Sequence, residues 1–409
     1  MSRPRRGTGG LLVAALALAL ACAACAGPRV QAEEAPAPRE DAPPAPAIAP
    51  GEAPVAGPAF VDCEGLDVEV GRDGLRIAAT GDLVFPENED VLRQSFAPFL
   101  PVMRGADLVL GNLEGAITTS DLPAKPSVPG RSYVFRFPPA AAGVLKEANV
   151  HVVSIANNHA FDYGAQGFSD TLAHLAAAGI RATGMRDSHV VREARGLRIG
   201  VVALAPYPVF NNVVEIEASA RLVASVRRQV DLVVLYYQLG AEGDGAALLA
   251  DGPEEFLGEP RGDARAFAAA MVAAGAGALV GHGPHVMRAA ECIGGVPVLH
   301  SVGNFVGGGR LRTHGLPHVS ALPELAFDPA GRFRGVRLHA VAFGPDGNPR
   351  PDPSGRAIAL ANWLGDEARQ SARAFSPIVF RGAEGHEQAF LDWMQATSLG
   401  PRLRPAARR

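Results

Sequence analysis

Seven short apolar runs, each stopping at a polar or glycine-rich cluster, set the terms for this chain. Leu75 to Thr80 closes on Gly81-Asp82, Ala106 to Leu110 on Gly111-Asn112-Leu113-Glu114, and Val150 to Ile155 on a stretch containing Asn157-Asn158-His159. Arg198 to Leu204 leads into Ala205-Pro206-Tyr207, and Leu232 to Tyr237 into Gln238-Leu239-Gly240-Ala241-Glu242. Ala278 to Val280 leads into Gly281-His282-Gly283-Pro284-His285, and Val296 to Leu299 into His300-Ser301-Val302-Gly303-Asn304. Continuous apolar runs of this length suit strands covered on both faces. Helical spacing separates them: Phe168, Leu172 and Leu175 recur on one face before Gly179, and Arg261 to Ala274 forms an Ala-rich stretch ahead of Gly275. Alternating strand and helix predict an α/β fold with layered sheets. Ligands in such folds collect at the carboxyl ends of strands, where all seven clusters lie.

The pattern changes near residue 325, which places a main domain over 60–325 and a C-terminal segment of strands and helices over 326–409. Ala326-Phe327-Asp328 and Arg337 to Phe343 read as antiparallel strands, with a turn at Asp346-Gly347. Residues 356–373 and 383–397 read as helices.

Residues 1–26 read as an export signal: Arg3, Arg5 and Arg6 precede an apolar stretch from Leu11 to Ala21 that is short for a membrane span. Cysteines follow at once, so Cys25, or Cys22, is expected to carry a lipid. The alternative is an ordinary secretory signal cut after small residues. Residues 27–59, rich in Pro, Ala and Glu, read as an extended tether between anchor and domain. Only Cys63 and Cys292 remain beyond the signal, a pair that export would expose to oxidising conditions. Spacing alone leaves a disulfide and two free thiols equally open. The net charge of −4, without a strongly basic run after the signal, argues against nucleic acid as a partner. Lys125 and Lys146 are the only lysines, which we take as a sign of genome composition.

The segment Asn157-Asn158-His159-Ala160-Phe161-Asp162 carries the densest chemistry. Two amides, an imidazole and a carboxylate at a strand end suit metal coordination or a bound oxyanion. Asn-Asn by itself also serves tight turns. Metal-dependent phosphoester chemistry needs hard oxygen ligands and imidazoles on rigid elements. Asp82, Glu114, Asn157 or Asn158, His282 and His285 supply those ligand types from different strands. His159 and Asp162 are the candidate catalytic pair, and Asn112, Gln238, Glu242 and Asn304 the candidate substrate contacts. No Gly-x-Ser-x-Gly elbow follows a strand, so a serine hydrolase is a poor fit.

In order, Gly81-Asp82, then Ala106-Asp107-Leu108-Val109-Leu110-Gly111-Asn112-Leu113-Glu114-Gly115, then Asn157 to Gly164 resemble the capsule synthesis protein CapA family. Gly281-His282-Gly283-Pro284-His285-Val286 and Ser301-Val302-Gly303-Asn304-Phe305 extend the resemblance, which covers about residues 74–310. The family is associated with synthesis and export of poly-γ-glutamate capsule. It is similar to a divergent branch of the calcineurin-like metallophosphoesterases. The resemblance implies a four-layer α/β sandwich of the metallophosphoesterase type, here with a small C-terminal α+β extension, and a site at the strand ends.

It also implies divalent metal (Mn, Fe or Zn), an anionic polymer or phosphoester substrate, and membrane components of polymer synthesis as partners. Two positions depart from the family pattern. Gln238 stands where the family carries a histidine, and Gly283 where it carries the first histidine of a His-Pro-His element. A glutamine carbonyl is a weaker metal ligand than imidazole and glycine offers no side chain, so one ion, two or none are open. Three functions follow as expectations: an envelope-anchored capsule synthesis protein, an active metal-dependent phosphoesterase on an envelope substrate, and a non-catalytic polymer binder.

Overall fold

A computed structural model describes residues 59–128, 132–312, 314–372 and 374–402. The export signal with Cys22 and Cys25, and the tether up to residue 58, lie outside the described residues.

Each of the seven apolar runs is a strand. Leu75–Leu83, Leu108–Leu113, Val152–Ser154 and Arg181–Thr183 lie side by side and parallel in one large sheet. A second sheet has Leu197–Leu204, Leu232–Gln238, Ala278–His282 and Val296–Leu299 parallel at its centre. Antiparallel strands Val190–Ala194 and Ala290–Ile293 close its two edges.

Successive side chains of a strand point to opposite faces. Leu75, Ile77 and Ala79, with Leu108, Leu110 and Val152, therefore share one core with Ile199, Val201 and Leu232 to Leu235 of the second sheet. Their neighbours Ala78, Val109 and Val153 pack instead with Leu92, Phe96, Val144 and Leu145 of helices Glu89–Phe96 and Ala140–Glu147. Helices Ile216–Arg227 and Ala264–Ala273 bring Val223, Val226, Phe267 and Met271 to the second sheet. The result is helix, sheet, sheet, helix: the four-layer α/β sandwich. Strands buried on both faces have no polar face to alternate with, which is why the sequence shows runs and not alternation. The Ala264–Ala273 helix begins three residues later than its apolar pattern, because Arg261 belongs to strand Glu259–Gly262 and Asp263 caps the helix through the Ala266 N–H at 2.9 Å.

The large sheet continues beyond its parallel half. Val319–Phe327 pairs antiparallel with Leu75–Leu83 and, on its other side, with Phe333–Phe343. The boundary drawn at residue 325 falls inside the first of these strands. Pro323 and Glu324 mask that strand in the sequence, since neither is a typical strand residue. Helix Arg356–Ser371 adds Ala357, Leu360, Ala361 and Leu364 to the main core.

Cys63 and Cys292 are joined in a disulfide across a sequence separation of 229 residues. Closing so long a loop stabilises the fold by roughly 5 kcal/mol in the chain-entropy view. No helix among the described residues is long and apolar enough to cross a membrane.

Candidate metal centre

The carboxyl ends of strands from both sheets meet at one point. Asp82 lies next to Asn112 and Asn304 in the large sheet, and Gln238 next to His282 in the second. Asp82, Glu114 and His285 each bring a ligand atom within 4.8 Å of the others. His285 Nδ1 is 3.1 Å from Asp82 Oδ2, and its Nε2 is 3.7 Å from Glu114 Oε1. His282 Nδ1 stands 3.2 Å from Asp82 Oδ1, with the ring against Tyr236 at 4.8 Å between centroids.

Tracing each polar atom to its partner separates ligands from supports. Asn112 donates to Asp82 Oδ1 at 2.9 Å and accepts from Asn157 at 3.0 Å. Asn304 Oδ1 lies 2.8 Å from His285 Nδ1. Both asparagines, expected as substrate contacts, engage Asp82 and His285 through their amides. Asn157 donates to Asn112 and to the Leu113 carbonyl, while its own oxygen accepts the His159 N–H at 3.0 Å. Its amide thus ties the Asn112, Leu113 and His159 backbone and side chains together at the strand ends. Asn158 Oδ1 accepts from Gln238 Nε2 at 3.2 Å. Glu242, another expected substrate contact, is held by Arg261 at 2.8 Å and stands 4.0 Å from His285 Nε2.

Against this network, Glu114 is exceptional. Its side chain is fully buried, and neither oxygen has a hydrogen-bond partner. Neither nitrogen of the buried His282 completes a hydrogen bond of normal geometry. An orphaned buried carboxylate carries a desolvation cost that a cation removes. Oxygen and imidazole donors in this mix suit a divalent first-row ion, so the residues present fit a metal. Asp82, Glu114 and His285 would hold it, with His282 at the margin.

The electrostatics follow from burial and proximity. Burial alone would raise Asp82, but the close contacts with His282 at 3.2 Å and His285 at 3.1 Å outweigh it and hold Asp82 well below its ordinary value. Burial lifts Glu114 well above 4.5, and the charge on Asp82 lifts it further. Burial pushes His285 down, yet the charge on Glu114 and the contact with Asp82 win and raise it well above 6.5. Without a cation, the cluster keeps protons that a cation would displace.

His159 forms a separate element. Its Nδ1 lies 2.8 Å from Asp162 Oδ2, which also accepts the Phe135 N–H at 2.7 Å. Burial lowers the imidazole's pKa below its ordinary value. Asp162 Oδ1 takes an ion pair with Lys125 Nζ at 2.6 Å. Lys125 and Arg261 are the site residues that sequence reasoning missed. The rarity of lysine was the available signal for Lys125, and it was read as composition.

With the geometry in place, comparison with known proteins assigns the chain. The family model "Bacterial capsule synthesis protein PGA_cap" matches residues 76–308, more than half the sequence. The chain belongs to that family. Its relatives include "PGA biosynthesis protein CapA" of Bacillus subtilis, 27% identical over 223 residues that make up 50% of this chain and 54% of the relative. They also include "Capsule biosynthesis protein CapA" of Bacillus anthracis, 26% identical over 226 residues, 50% of this chain and 52% of that one. The chain thus spans about half the length of the curated relatives it matches. Among solved structures, a putative 5'-nucleotidase from Staphylococcus aureus overlaps with a TM-score of 0.41 at 12% identity, covering 72% of this chain and 58% of that one. At that level the overlap carries no chemistry to the family member described here.

Proposed function

We propose that this chain handles an acidic capsule polymer of the poly-γ-glutamate class at a divalent-metal centre, and that it does so while anchored to the cell envelope. The observation that carries the reading is Glu114: a fully buried carboxylate without a partner, beside Asp82 and His285, in a member of the capsule synthesis family. The names of the Bacillus relatives support the polymer class. The signal-like segment with Cys25 supports the anchor and export. Membrane components of polymer synthesis are the expected partners.

When bound, a divalent ion supplies Lewis-acid polarisation of a carbonyl or phosphoryl oxygen. The chain's own residues do the rest. Asn112 and Asn304 fix Asp82 and His285. Asp162 holds the His159 Nδ1–H, so that Nε2 is left to accept or deliver a proton at a leaving atom. That pair favours a second reading, cleavage of an ester or amide linkage by a metal-dependent hydrolase, phosphoesters included.

Elemental analysis of the purified full-length chain, as isolated and after incubation with Mn²⁺, Fe²⁺ or Zn²⁺, tests the metal centre. The expected result is stoichiometric metal that Glu114→Gln removes. Absence of bound metal under all these conditions would overturn the centre. Gene deletion tests the biology: unchanged surface polymer in the deletion strain contradicts the capsule role.

A further inference from the structure

Gly283 and Gln238, at the ends of neighbouring strands, are in contact, and together they build something. Gly283 has φ of +96°, and a Cβ placed there would come within 2.4 Å of Gln238 Cγ. Gln238 therefore occupies the space that a side chain at 283 would need. Glycine is what admits it, and glycine also adopts that backbone conformation at no steric cost. The glutamine is fully placed: it is 1% exposed, and its Nε2 donates to Asn158 Oδ1 at 3.2 Å. Its Oε1 is buried without a partner. An acceptor kept dry and unpaired at a strand end is costly unless something donates to it.

Asn158 links this amide to a cation. Lys125 Nζ lies 3.5 Å from the Asn158 carbonyl oxygen and 2.6 Å from Asp162 Oδ1. The lysine side chain is 37% exposed, so the ammonium keeps a donor for a ligand. A buried amide acceptor and a half-exposed ammonium on the two sides of one asparagine match a carboxylate carried close to an amide N–H.

We infer that Lys125, Asn158 and Gln238 form a binding subsite beside the metal centre for the acidic polyamide itself, the ammonium taking a carboxylate and Gln238 Oε1 accepting an amide N–H. The inference rests on the reading of this site as one for an acidic polymer, and it names the groups that would distinguish such a chain from a simple phosphoester. Gln238 is then a recognition group and not the remnant of a lost metal ligand.

The test is calorimetric titration of the full-length chain with three probes: a γ-linked glutamate trimer, the same trimer with its carboxylates converted to primary amides, and inorganic phosphate. The acidic trimer is expected to bind, and Lys125→Met and Gln238→Leu are each expected to weaken it by about tenfold or more. Lys125→Arg should retain binding. Gln238→Glu should lose it, because it sets a carboxylate against the ligand's own. The amidated trimer should bind weakly and be indifferent to Lys125→Met.

Thermal unfolding identifies any variant that does not fold, and the arginine and glutamate variants decide the matter if Met or Leu is not tolerated. Equal affinity of wild type and Lys125→Met for the acidic trimer overturns the subsite. So does tight phosphate binding that depends on Lys125 alone, the mark of a plain anion site. Wild-type protein that binds Mn²⁺ but not the trimer refutes the subsite and leaves the metal centre standing. Trimer binding without binding of Mn²⁺, Fe²⁺ or Zn²⁺ refutes the metal centre and leaves the subsite.

Discussion

Two buried glutamates in the large sheet meet opposite fates. Glu324, on strand Val319–Phe327, is 2% exposed and surrounded by basic side chains. Arg337 pairs with it at 2.7 Å, His339 at 3.1 Å and Arg76 at 3.3 Å. Burial alone would raise its pKa, but the hydrogen bond from His339 and the charge of Arg337 prevail, and the carboxyl sits below its ordinary value. Glu114, on the opposite side of strand Leu75–Leu83, is fully buried, accepts no hydrogen bond, and has only His285 at 3.7 Å as a basic neighbour. The first arrangement is closed: its charge is neutralised and it asks for nothing. The second is open: its oxygens are left without donors, an arrangement that a cation would satisfy. Burial of charge marks a site only where partners are withheld.

The largest expected effect breaks the open half of this comparison. Glu114→Gln should weaken divalent-metal binding by about a hundredfold or more, near 2.7 kcal/mol, because it removes the charge that draws the ion. In metal-free protein the same change should leave the denaturation midpoint unchanged or higher, since a poorly solvated carboxylate is gone. A lowered midpoint with intact metal binding would mean that Glu114 is structural.

Glu324→Ala should do the reverse. It is expected to cost about 2 kcal/mol in urea denaturation and leave metal affinity untouched. The value is below the ~3–5 kcal/mol of wholly buried pairs. Arg76 and Arg337 keep 28% and 23% of their side chains in water, so the stranded cations remain partly solvated.

A smaller effect tests the closure around Gln238. Gly283→Ala is expected to cost about 1–2 kcal/mol, from its positive φ and its collision with the glutamine. In a Gln238→Ala background the collision is removed and the cost should fall. A double-mutant cycle measures the difference, and strict additivity would deny the contact. For the same reason, Gln238→His with Gly283→His should not raise the amount of metal bound. The backbone at 283 disfavours any side chain.

The smallest expected effects lie in pH dependence, where the two glutamates carry opposite signs. Glu324 has a depressed folded pKa, so its stabilisation is complete above 4.5 and is lost as the pH falls through the folded value. Glu114 has a raised folded pKa, so in metal-free protein its contribution is complete below 4.5 and is lost as the pH rises through the folded value. Stability curves of Glu324→Gln and Glu114→Gln against wild type should therefore differ in opposite directions. Because Glu114 and His285 both hold protons tightly, metal entry must release them, and affinity should rise with pH. A pH-independent affinity would contradict the cluster as described.

Much of this protein was legible before any fold. The seven apolar runs announced seven parallel-type strands, because a strand covered on both faces must be apolar throughout. Their terminal clusters named Asp82, Glu114, His159, Asp162, His282 and His285, because ligands gather where parallel strands end. Strand Val319–Phe327 was only half visible, since Pro323 and Glu324 hide the pattern on which such a reading depends.

Roles, however, were not legible. The sequence put Asn112, Asn157 and Asn304 among the candidate ligands and substrate contacts, but could not show the hydrogen bonds by which their amides join Asp82, Asn112 and His285. It could not show that Lys125 reaches Asp162, that Gln238 fills the space above Gly283, or that Glu114 lacks what Glu324 has.

What the chain determined by itself was periodicity and residue type, which are local. What only the tertiary structure decided was partnership. Asp82 accepts a hydrogen bond from Gly283 across 201 residues of sequence, and no local pattern specifies such a meeting. Packing of the two sheets brings those strand ends together, and that packing decides which buried polar groups are satisfied and which are left to bind.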